Sequence, residues 1–128
     1  MTRILIDTKI YSLAMRGSKE IVEILRHTRH IGISAISIGE LFSGFRGGNR
    51  EPQNRQELHQ FLDSPRVSIY PVDEETAEYY SAVLQQLRQQ GTPIPTNDIW
   101  IAAVAFQHGL PLLTRDEHFS HITGLLLR

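Results

Sequence analysis

The sequence predicts an α/β fold, a three-layer α/β/α sandwich with a central parallel sheet of four to five strands. Short apolar segments alternate along the chain with longer amphipathic ones, which is typical of parallel strands joined by helices. The chain has 128 residues, of which 41% are hydrophobic, and it shows no repeat or linker-like tract. A length and apolar content of this kind suit one domain with its own core. We therefore expect residues 1–128 to form a single domain.

Apolar runs mark the predicted strands, and helical periodicity marks the segments between them. The strands are placed at residues 3–7, 30–34, 67–70 and 110–113, with a last short strand at 125–127. Gly17 and Ser18 form a turn and an N-cap before a helix whose apolar positions are 21, 22, 24 and 25. Further helices are expected at residues 37–45, 55–62 and 73–90. The inward positions of the longest of them are Ala77, Tyr80, Val83, Leu84 and Leu87.

The remaining segments are defined by helix breakers. Residues 47–52 contain two glycines, an asparagine and a proline, and form the one loop with a strong group of breakers,. Thr96 or Asn97 is expected to cap a last helix that ends near residue 108, where Gly109 stops it. Trp100, on that helix, is expected to belong to the core.

Composition narrows the classes of function. The formal net charge of −1 does not by itself indicate a nucleic-acid partner. Of the 13 basic residues only Lys9 and Lys19 are lysines, and arginine favours bidentate contacts with phosphate and carboxylate groups,. The absence of cysteine excludes thiolate metal sites and suits a reducing, cytoplasmic setting,. The N-terminal segment does not read as a signal peptide and no apolar stretch is long enough to span a bilayer, so we expect no membrane partner.

Four acids lie near the ends of predicted strands or the starts of helices. Asp7 ends the first strand, Asp116 follows the fourth, Glu40 lies in the helix after the second, and Asp98 lies in the first turn of the last helix. Ligands of open parallel sheets bind beyond the carboxyl ends of the strands. We therefore expect these acids to converge at one edge of the sheet. Asp7 is the strongest candidate, because an acid that closes a buried strand needs a cation or a donor.

The other three acids also have structural interpretations. Asp98 can favour the helix dipole, Asp116 can belong to a turn, and Glu40 can be a solvated side chain. If the acids converge, their repulsion has to be compensated, and carboxylate oxygens suit hard divalent cations such as Mg²⁺ or Mn²⁺. A metal held in this way polarises a phosphoryl oxygen and activates water. Such a site predicts hydrolysis of phosphodiester bonds.

The segments that carry these acids resemble the PIN-domain nucleases, specifically the VapC-type toxins of toxin–antitoxin pairs. They read ILIDT (4–8), SAISIGELFSGF (34–45) and NDIWIAAVAFQHGLPLLTRDEHF (97–119), and the resemblance covers essentially the whole chain. It implies a PIN-like fold in which Asp7, Glu40, Asp98 and Asp116 take the acidic catalytic and metal-binding positions. Thr114 takes the hydroxyl position beside the metal.

The resemblance also implies an activity and partners. The protein would be a Mg²⁺- or Mn²⁺-dependent endoribonuclease, the toxin of a type II pair, cleaving RNA that is often structured, such as tRNA. A cognate VapB-type antitoxin would wrap the toxin and block its site, and the toxin would form a homodimer. The apolar surfaces of the helices would supply such interfaces, unless their aromatic residues belong to the core. These residues are Phe42, Phe45, Tyr79 and Tyr80.

Lys9 departs from the family pattern, in which Asn or Ser usually follows the Asp-Thr pair. An ammonium at this position is expected either to pair with a carboxylate and compete with the metal, to contact a substrate phosphate, or to point away. The alternative function is therefore a catalytically weakened PIN-fold module that binds RNA or a protein, in which Lys9 disfavours metal binding.

Several residues around the motifs are assigned further roles. Arg46, Arg50 and Arg55 flank the glycine-rich loop and are expected to line a phosphate path toward the acids, the alternative being a solvated loop,. His118 and His121 follow Asp116 closely, and surface or packing roles are favoured for them.

Two other functions rank lower. A receiver-type phospho-acceptor domain would need paired acids near the N-terminus, and no acid pair precedes Asp7. A dinucleotide-binding role is disfavoured because no G-x-G-x-x-G follows the first strand,.

Overall fold

A four-stranded parallel sheet forms the centre of the structure, a computed structural model that describes residues 3–128. The sheet order is β3-β2-β1-β4, where the strands are β1 (Arg3–Ile6), β2 (His30–Ser34), β3 (Val67–Tyr70) and β4 (Leu112–Leu113). The helices within the described residues are α1 (Thr8–Met15), α2 (Lys19–Arg26), α3 (Ala35–Arg46), α4 (Glu51–Leu62), α5 (Glu74–Gln90) and α6 (Thr96–His108). A 3₁₀ helix (Glu117–His121) follows β4.

Side chains that alternate along the strands build two cores, one on each face of the sheet. Ile4, Ile6, Ile31 and Ile33 pack with helices α1 to α4. On the other face, Leu5 and Leu112 pack with α5, α6, the connection before β4 and the 3₁₀ helix. The buried residues that these elements contribute include Val83, Leu87, Ile101, Val104, Leu110 and Phe119. Helices therefore cover both faces, which confirms the predicted three-layer α/β/α sandwich.

The register of the sheet places the strand ends side by side. Ile6 of β1 pairs with Ile33 of β2 and with Leu113 of β4. Strand β1 pairs with β2 on one side and with β4 on the other. The chain winds from β1 through β2 to β3 in one direction and then returns to β4 on the opposite side of β1, so the winding reverses between β1 and β4. Such a switch point leaves a crevice beyond the carboxyl ends of the strands.

Helix α1 was not predicted, because it begins immediately after β1 without a connecting loop. The carboxylate of Asp7 accepts the backbone N–H of Ile10 at 2.9 Å and so caps the helix,. The predicted cap of α6 is wrong: the helix begins after Pro95 without a side-chain cap, and Thr96 and Asn97 lie inside it. The amide of Asn97 is instead used by another residue, described below.

The observed bounds of other elements differ from the predicted ones by a few residues. Helix α4 begins at Glu51, since Pro52 fits the first turn of a helix, where no N–H is needed,. Residues 125–127 do not form a strand; Leu127 makes a single parallel bridge to Leu112. In α5 the predicted inward residues Val83 and Leu87 are buried, but in the first turn the buried residue is Thr76, whereas Ala77 is exposed.

The aromatic residues on the helices have different environments. Phe42 and Phe45 are half-buried and pack against the core beside α1 to α4. Trp100 is only half-buried and stacks on Tyr80 with ring centroids 4.0 Å apart, so it lies at the margin of the core. Tyr79 is exposed. No helix of residues 3–128 combines the length and apolar character that a bilayer span requires.

Candidate active site

A cleft of about 150 Å³ opens at the carboxyl ends of β1 and β4, where the winding of the sheet changes direction. Its walls come from α1, α3, α6 and the turn after β4. The residues that line it are Asp7, Thr8, Lys9, Glu40, Asp98, Ile101 and Asp116. The structure thus brings together the four acids that strand-end reasoning selected, although they are spread over more than 100 positions of sequence.

Asp7 is the buried acid of the cleft, with 4% of its surface exposed. One carboxylate oxygen accepts the backbone N–H of Ile10, and the other accepts the hydroxyl of Thr114. Burial raises the pKa of Asp7, while the two hydrogen bonds oppose that rise,. Neutral donors therefore fix the orientation of Asp7 without neutralising its charge.

Glu40 is held between two helices that flank α3. The hydroxyl of Thr8, on α1, donates to Oε1, and the amide of Asn97, on α6, donates to Oε2 at 3.1 Å. Both partners are neutral, as at Asp7. Asn97 lies inside α6 and does not cap it, and its contact with Glu40 is not apparent from the sequence because the two residues are 57 positions apart.

Asp98 and Asp116 meet at the ring of His118. Nδ1 of His118 lies 3.1 Å from Oδ2 of Asp98 and 3.0 Å from Oδ1 of Asp116. One ligand-type atom from each of the three residues lies within 4.8 Å of the others. His118 was expected to serve the surface or packing. Its ring is half exposed, but the 3₁₀ turn after Asp116 directs it into the acidic cluster.

The two acids of this group have opposite pKa shifts. Burial, and then the nearby carboxylates of Asp116 and Glu40, raise the pKa of Asp98, against the effect of His118. The pKa of Asp116 is lowered, first by the backbone N–H of His118 and then by Lys9. Of these two acids, the environment therefore favours the charged form of Asp116 and disfavours that of Asp98.

Lys9 takes the first of the three orientations considered for it. Its Nζ lies 3.2 Å from Oδ2 of Asp116, while 75% of the side chain is exposed. The hydrogen bond and charge of Asp116 raise the pKa of Lys9, so the ammonium stays charged. Both residues of the pair line the cleft.

The donor set fits a hard divalent cation. The cleft offers carboxylate oxygens from Asp7, Glu40, Asp98 and Asp116, and Lys9 is the cation that lines it. One ammonium cannot balance four carboxylates, and oxygen ligands are those that Mg²⁺ and Mn²⁺ prefer. The hydroxyl of Thr114 is occupied on both sides, donating to Asp7 and accepting the backbone N–H of Asp116 at 2.9 Å. Thr114 therefore orients the acids.

The three predicted phosphate-contacting arginines lie outside the acidic cleft. Arg55 pairs with Glu51 at 2.9 Å and lies over the ring of Phe42. Arg46 is exposed at the end of α3, and Arg50 lines a separate pocket. A wider groove of about 680 Å³ runs along α3, is lined by Asn97 among others, and shares Glu40 with the cleft. The acids are thus reached from an open surface.

Comparisons with known proteins agree with this architecture. The PIN domain family model matches residues 4–125. The chain is similar to ribonuclease VapC5 of Mycobacterium tuberculosis, with 26% identity over 119 residues, or 93% of this chain and 87% of that protein. It is 31% identical to ribonuclease VapC2 of Rickettsia felis over 107 residues, or 83% of this chain and 78% of that protein.

Solved structures give the same result. A chain in the crystal structure of VapBC2 from Rickettsia felis, bound to a DNA fragment from their promoter, superposes with a TM-score of 0.88 and 27% identity. The match covers 98% of this chain and 96% of that chain. The similarity therefore extends over the whole described fold, including every element that contributes to the cleft.

Proposed function

The chain belongs to the PIN-domain family, among the VapC-type proteins, and from that premise we propose that it is an endoribonuclease that depends on Mg²⁺ or Mn²⁺. The observation that carries the proposal is the convergence of Asp7, Glu40, Asp98 and Asp116 in one cleft. The two relatives described above, 26% and 31% identical to this chain over most of their length, are named ribonucleases. The substrate is RNA, with structured RNA such as tRNA as the first class to test.

The four acids would hold the metal, which when bound supplies a polarised phosphoryl oxygen and an activated water. The attacking water loses its proton to solvent, which reaches the cleft from the open groove along α3. The water oxygen bonds to phosphorus as the bond to the leaving ribose oxygen breaks, and that oxygen takes a proton from solvent. Thr8 and Asn97 keep Glu40 in place during this step, and Thr114 keeps Asp7 in place.

We place the protein as the toxin of a type II toxin–antitoxin pair. The solved relative from Rickettsia felis is a VapBC2 complex, which supports a VapB-type antitoxin as the partner of this chain. A homodimer is part of the same proposal. Co-expression with a small VapB-like protein, if the neighbouring reading frame encodes one, followed by size-exclusion chromatography with light scattering, measures both assemblies.

The experiment that tests the activity compares RNA cleavage by the wild type and by Asp98→Asn, each in Mn²⁺, in Mg²⁺ and in EDTA. We expect cleavage by the wild type in either metal and its loss in EDTA or in the variant. Asp63→Asn, at an exposed acid that ends α4, is the matched control. Cleavage that persists in EDTA, or in folded Asp98→Asn, contradicts the mechanism.

One observation favours a second candidate. Because Lys9 already pairs with Asp116, the site could be weakened for metal and serve an RNA- or protein-binding module on the same fold. A thermal-stability titration with Mn²⁺ separates the two functions, since a ligand that binds only the folded state raises the melting temperature. A shift at millimolar metal supports the nuclease, and no shift supports the binding module.

A further inference from the structure

A second pocket lies between α1, α3 and α4, on the same side of the sheet as the core beside those helices. It has a volume of about 250 Å³, at the small end of the range for ligand sites. The residues on which the argument depends are Tyr11, Ser12, Arg16, Phe45, Arg50 and Glu57. None of them belongs to the acidic cleft.

The pocket is connected to the cleft along helix α1. Thr8 lines the cleft, and one turn later Ser12 lines the pocket, its hydroxyl donating to the carbonyl of Thr8 at 3.4 Å. Arg16 follows one turn further, so the guanidinium-bearing end of the pocket is about 12 Å along the helix axis from Thr8. A stacked single strand covers that distance in about three to four nucleotides, at roughly 3.4 Å for each.

The charges of the pocket are two cations and one anion. Neither Arg16 nor Arg50 forms an ion pair with any of residues 3–128, in contrast to Arg55, which is paired with Glu51. Unpaired guanidinium groups are suited to phosphate oxygens. The carboxylate of Glu57 also lines the pocket. It would repel a ligand that carries only negative charge, and it can accept hydrogen bonds from the N–H groups on the edge of a base,.

The remaining lining residues suit the rest of a nucleotide. Phe45 is a half-buried aromatic ring, and aromatic rings beside a positively charged groove are the usual platform for unpaired bases,. Tyr11 is buried, and its hydroxyl has no hydrogen-bond partner among the described residues. Burial, and then the charge of Glu57, raise the pKa of Tyr11 to about 12, so the hydroxyl remains a donor.

We propose that this pocket is an RNA-binding subsite, in which Arg16 and Arg50 hold phosphates of the same strand that is cut at the acidic cleft. The inference rests on the proposed ribonuclease function. It assigns to Arg16 a role that strand-end reasoning did not consider, and it separates Arg50 from Arg55, whose guanidinium is already engaged.

The test measures binding of a fluorescein-labelled single-stranded RNA in EDTA by fluorescence anisotropy, at several salt concentrations. The variant is the double substitution Arg16→Gln with Arg50→Gln. Its matched control is Arg29→Gln with Arg88→Gln, which removes the same charge from exposed positions elsewhere. Thermal denaturation of both confirms that they are folded.

We expect Kd to rise about tenfold for the pocket variant, with the slope of log K against log salt smaller by about 1.4, the value for two lost phosphate contacts on a single strand. Equal affinities and slopes for the two double variants would overturn the inference. So would a pocket variant that binds RNA normally but no longer binds a VapB-type antitoxin that the wild type binds, since the pocket would then dock a protein.

The same preparations distinguish this inference from the proposed function. If the wild type binds RNA more tightly than the pocket variant but cleaves no RNA in Mn²⁺, the result would contradict the ribonuclease and support the subsite. A pocket variant with wild-type binding in a protein that does cleave would overturn the subsite alone. In the cleaving protein the pocket variant should show a raised KM and an unchanged kcat, because the bound strand still reaches the acids.

Discussion

The ammonium of Lys9 lies 3.2 Å from Oδ2 of Asp116, in a cleft that is lined by three further carboxylates. The protein thus supplies its own cation, the ammonium of Lys9, to a cleft whose carboxylate oxygens suit a divalent metal. Because Asp116 also accepts the backbone N–H of His118, both of its oxygens are engaged before any ion binds. A metal that uses Asp116 has to displace Lys9 or share the carboxylate with it.

The first prediction follows from this competition. Lys9→Met should bind Mn²⁺ about three- to fivefold more tightly than the wild type, the scale expected for an exposed ion pair. Isothermal titration calorimetry at constant ionic strength measures the change. Lys19→Met, at the only other lysine, removes the same charge from an exposed position at the start of α2 and should leave the affinity unchanged. Weaker binding in Lys9→Met would mean that Lys9 organises the site instead.

The second prediction concerns Asp7 and pH. Burial holds the pKa of Asp7 above its ordinary value. The contribution of Asp7 to stability is therefore fully present below the pKa of the unfolded chain, and is lost as the pH rises through the raised folded value. At neutral pH and in EDTA, the free energy of unfolding of Asp7→Asn should therefore exceed that of the wild type,. Near pH 4 the two proteins should be closer in stability.

Urea denaturation at the two pH values measures this difference. Asp63→Asn, at an exposed carboxylate, should show no such dependence on pH. Saturating Mn²⁺ should reverse the order at neutral pH, because a bound metal stabilises the wild type by mass action. A variant that is less stable than the wild type at neutral pH in EDTA would show that the hydrogen bonds of Asp7 outweigh its burial.

The position of the acids could be predicted from the sequence because each follows from the topology. Asp7 ends β1, Asp116 follows β4, and the carboxyl ends of parallel strands meet at one edge whatever the side-chain conformations. Glu40 and Asp98 required in addition that α3 and α6 begin near that edge. The alternation of apolar segments was sufficient to place both helices.

The contacts within the cleft could not be predicted, since they depend on side-chain directions. Whether Lys9 reaches Asp116 or points away is decided by rotation about its side chain, across 107 positions of sequence. His118 joins the cluster because residues 117–121 form a 3₁₀ turn, which a run of polar residues does not reveal. Helix α1 is not apparent from the sequence for a related reason: Asp7 directly follows β1 and caps the next helix, so no loop separates the two elements.

The third prediction tests the support of Glu40. Thr8→Val and Asn97→Ala each remove one neutral donor from its carboxylate. Residues that orient metal ligands typically change affinity or activity by about 10- to 100-fold when substituted. We expect about a tenfold loss of RNA cleavage for each variant, and a loss in the double variant that is smaller than the product of the two, because both act on Glu40.

Cleavage kinetics with Mn²⁺ affinity as a second readout separate orientation from binding. Asn49→Ala, in the exposed glycine-rich loop, is the control for Asn97→Ala. Strictly multiplicative effects of Thr8→Val and Asn97→Ala would indicate that the two residues act independently of Glu40.

The fourth prediction concerns the packing that holds β2 and β3 together. A Cβ at Gly32 would lie 2.6 and 2.9 Å from two ring carbons of Tyr70, and 3.2 Å from Leu5. The Tyr70 ring is fixed at its far end, where its hydroxyl lies 2.6 Å from Nε2 of His30. Gly32→Ala therefore forces the ring away from its place in the sheet, and should cost about 1–3 kcal/mol of stability, the range for overpacking.

Thermal and urea denaturation of Gly32→Ala against Gly44→Ala measure that cost. An added Cβ at Gly44, inside α3, meets nothing within 4 Å, so this control should be neutral or stabilising by up to about 1 kcal/mol,. In the Tyr70→Leu protein the ring carbons that the new methyl group meets are absent. Gly32→Ala should therefore cost less stability in that protein than in the wild type. A Gly32→Ala protein as stable as the wild type would show that the ring of Tyr70 can move without cost, and that its contact with His30 does not hold it.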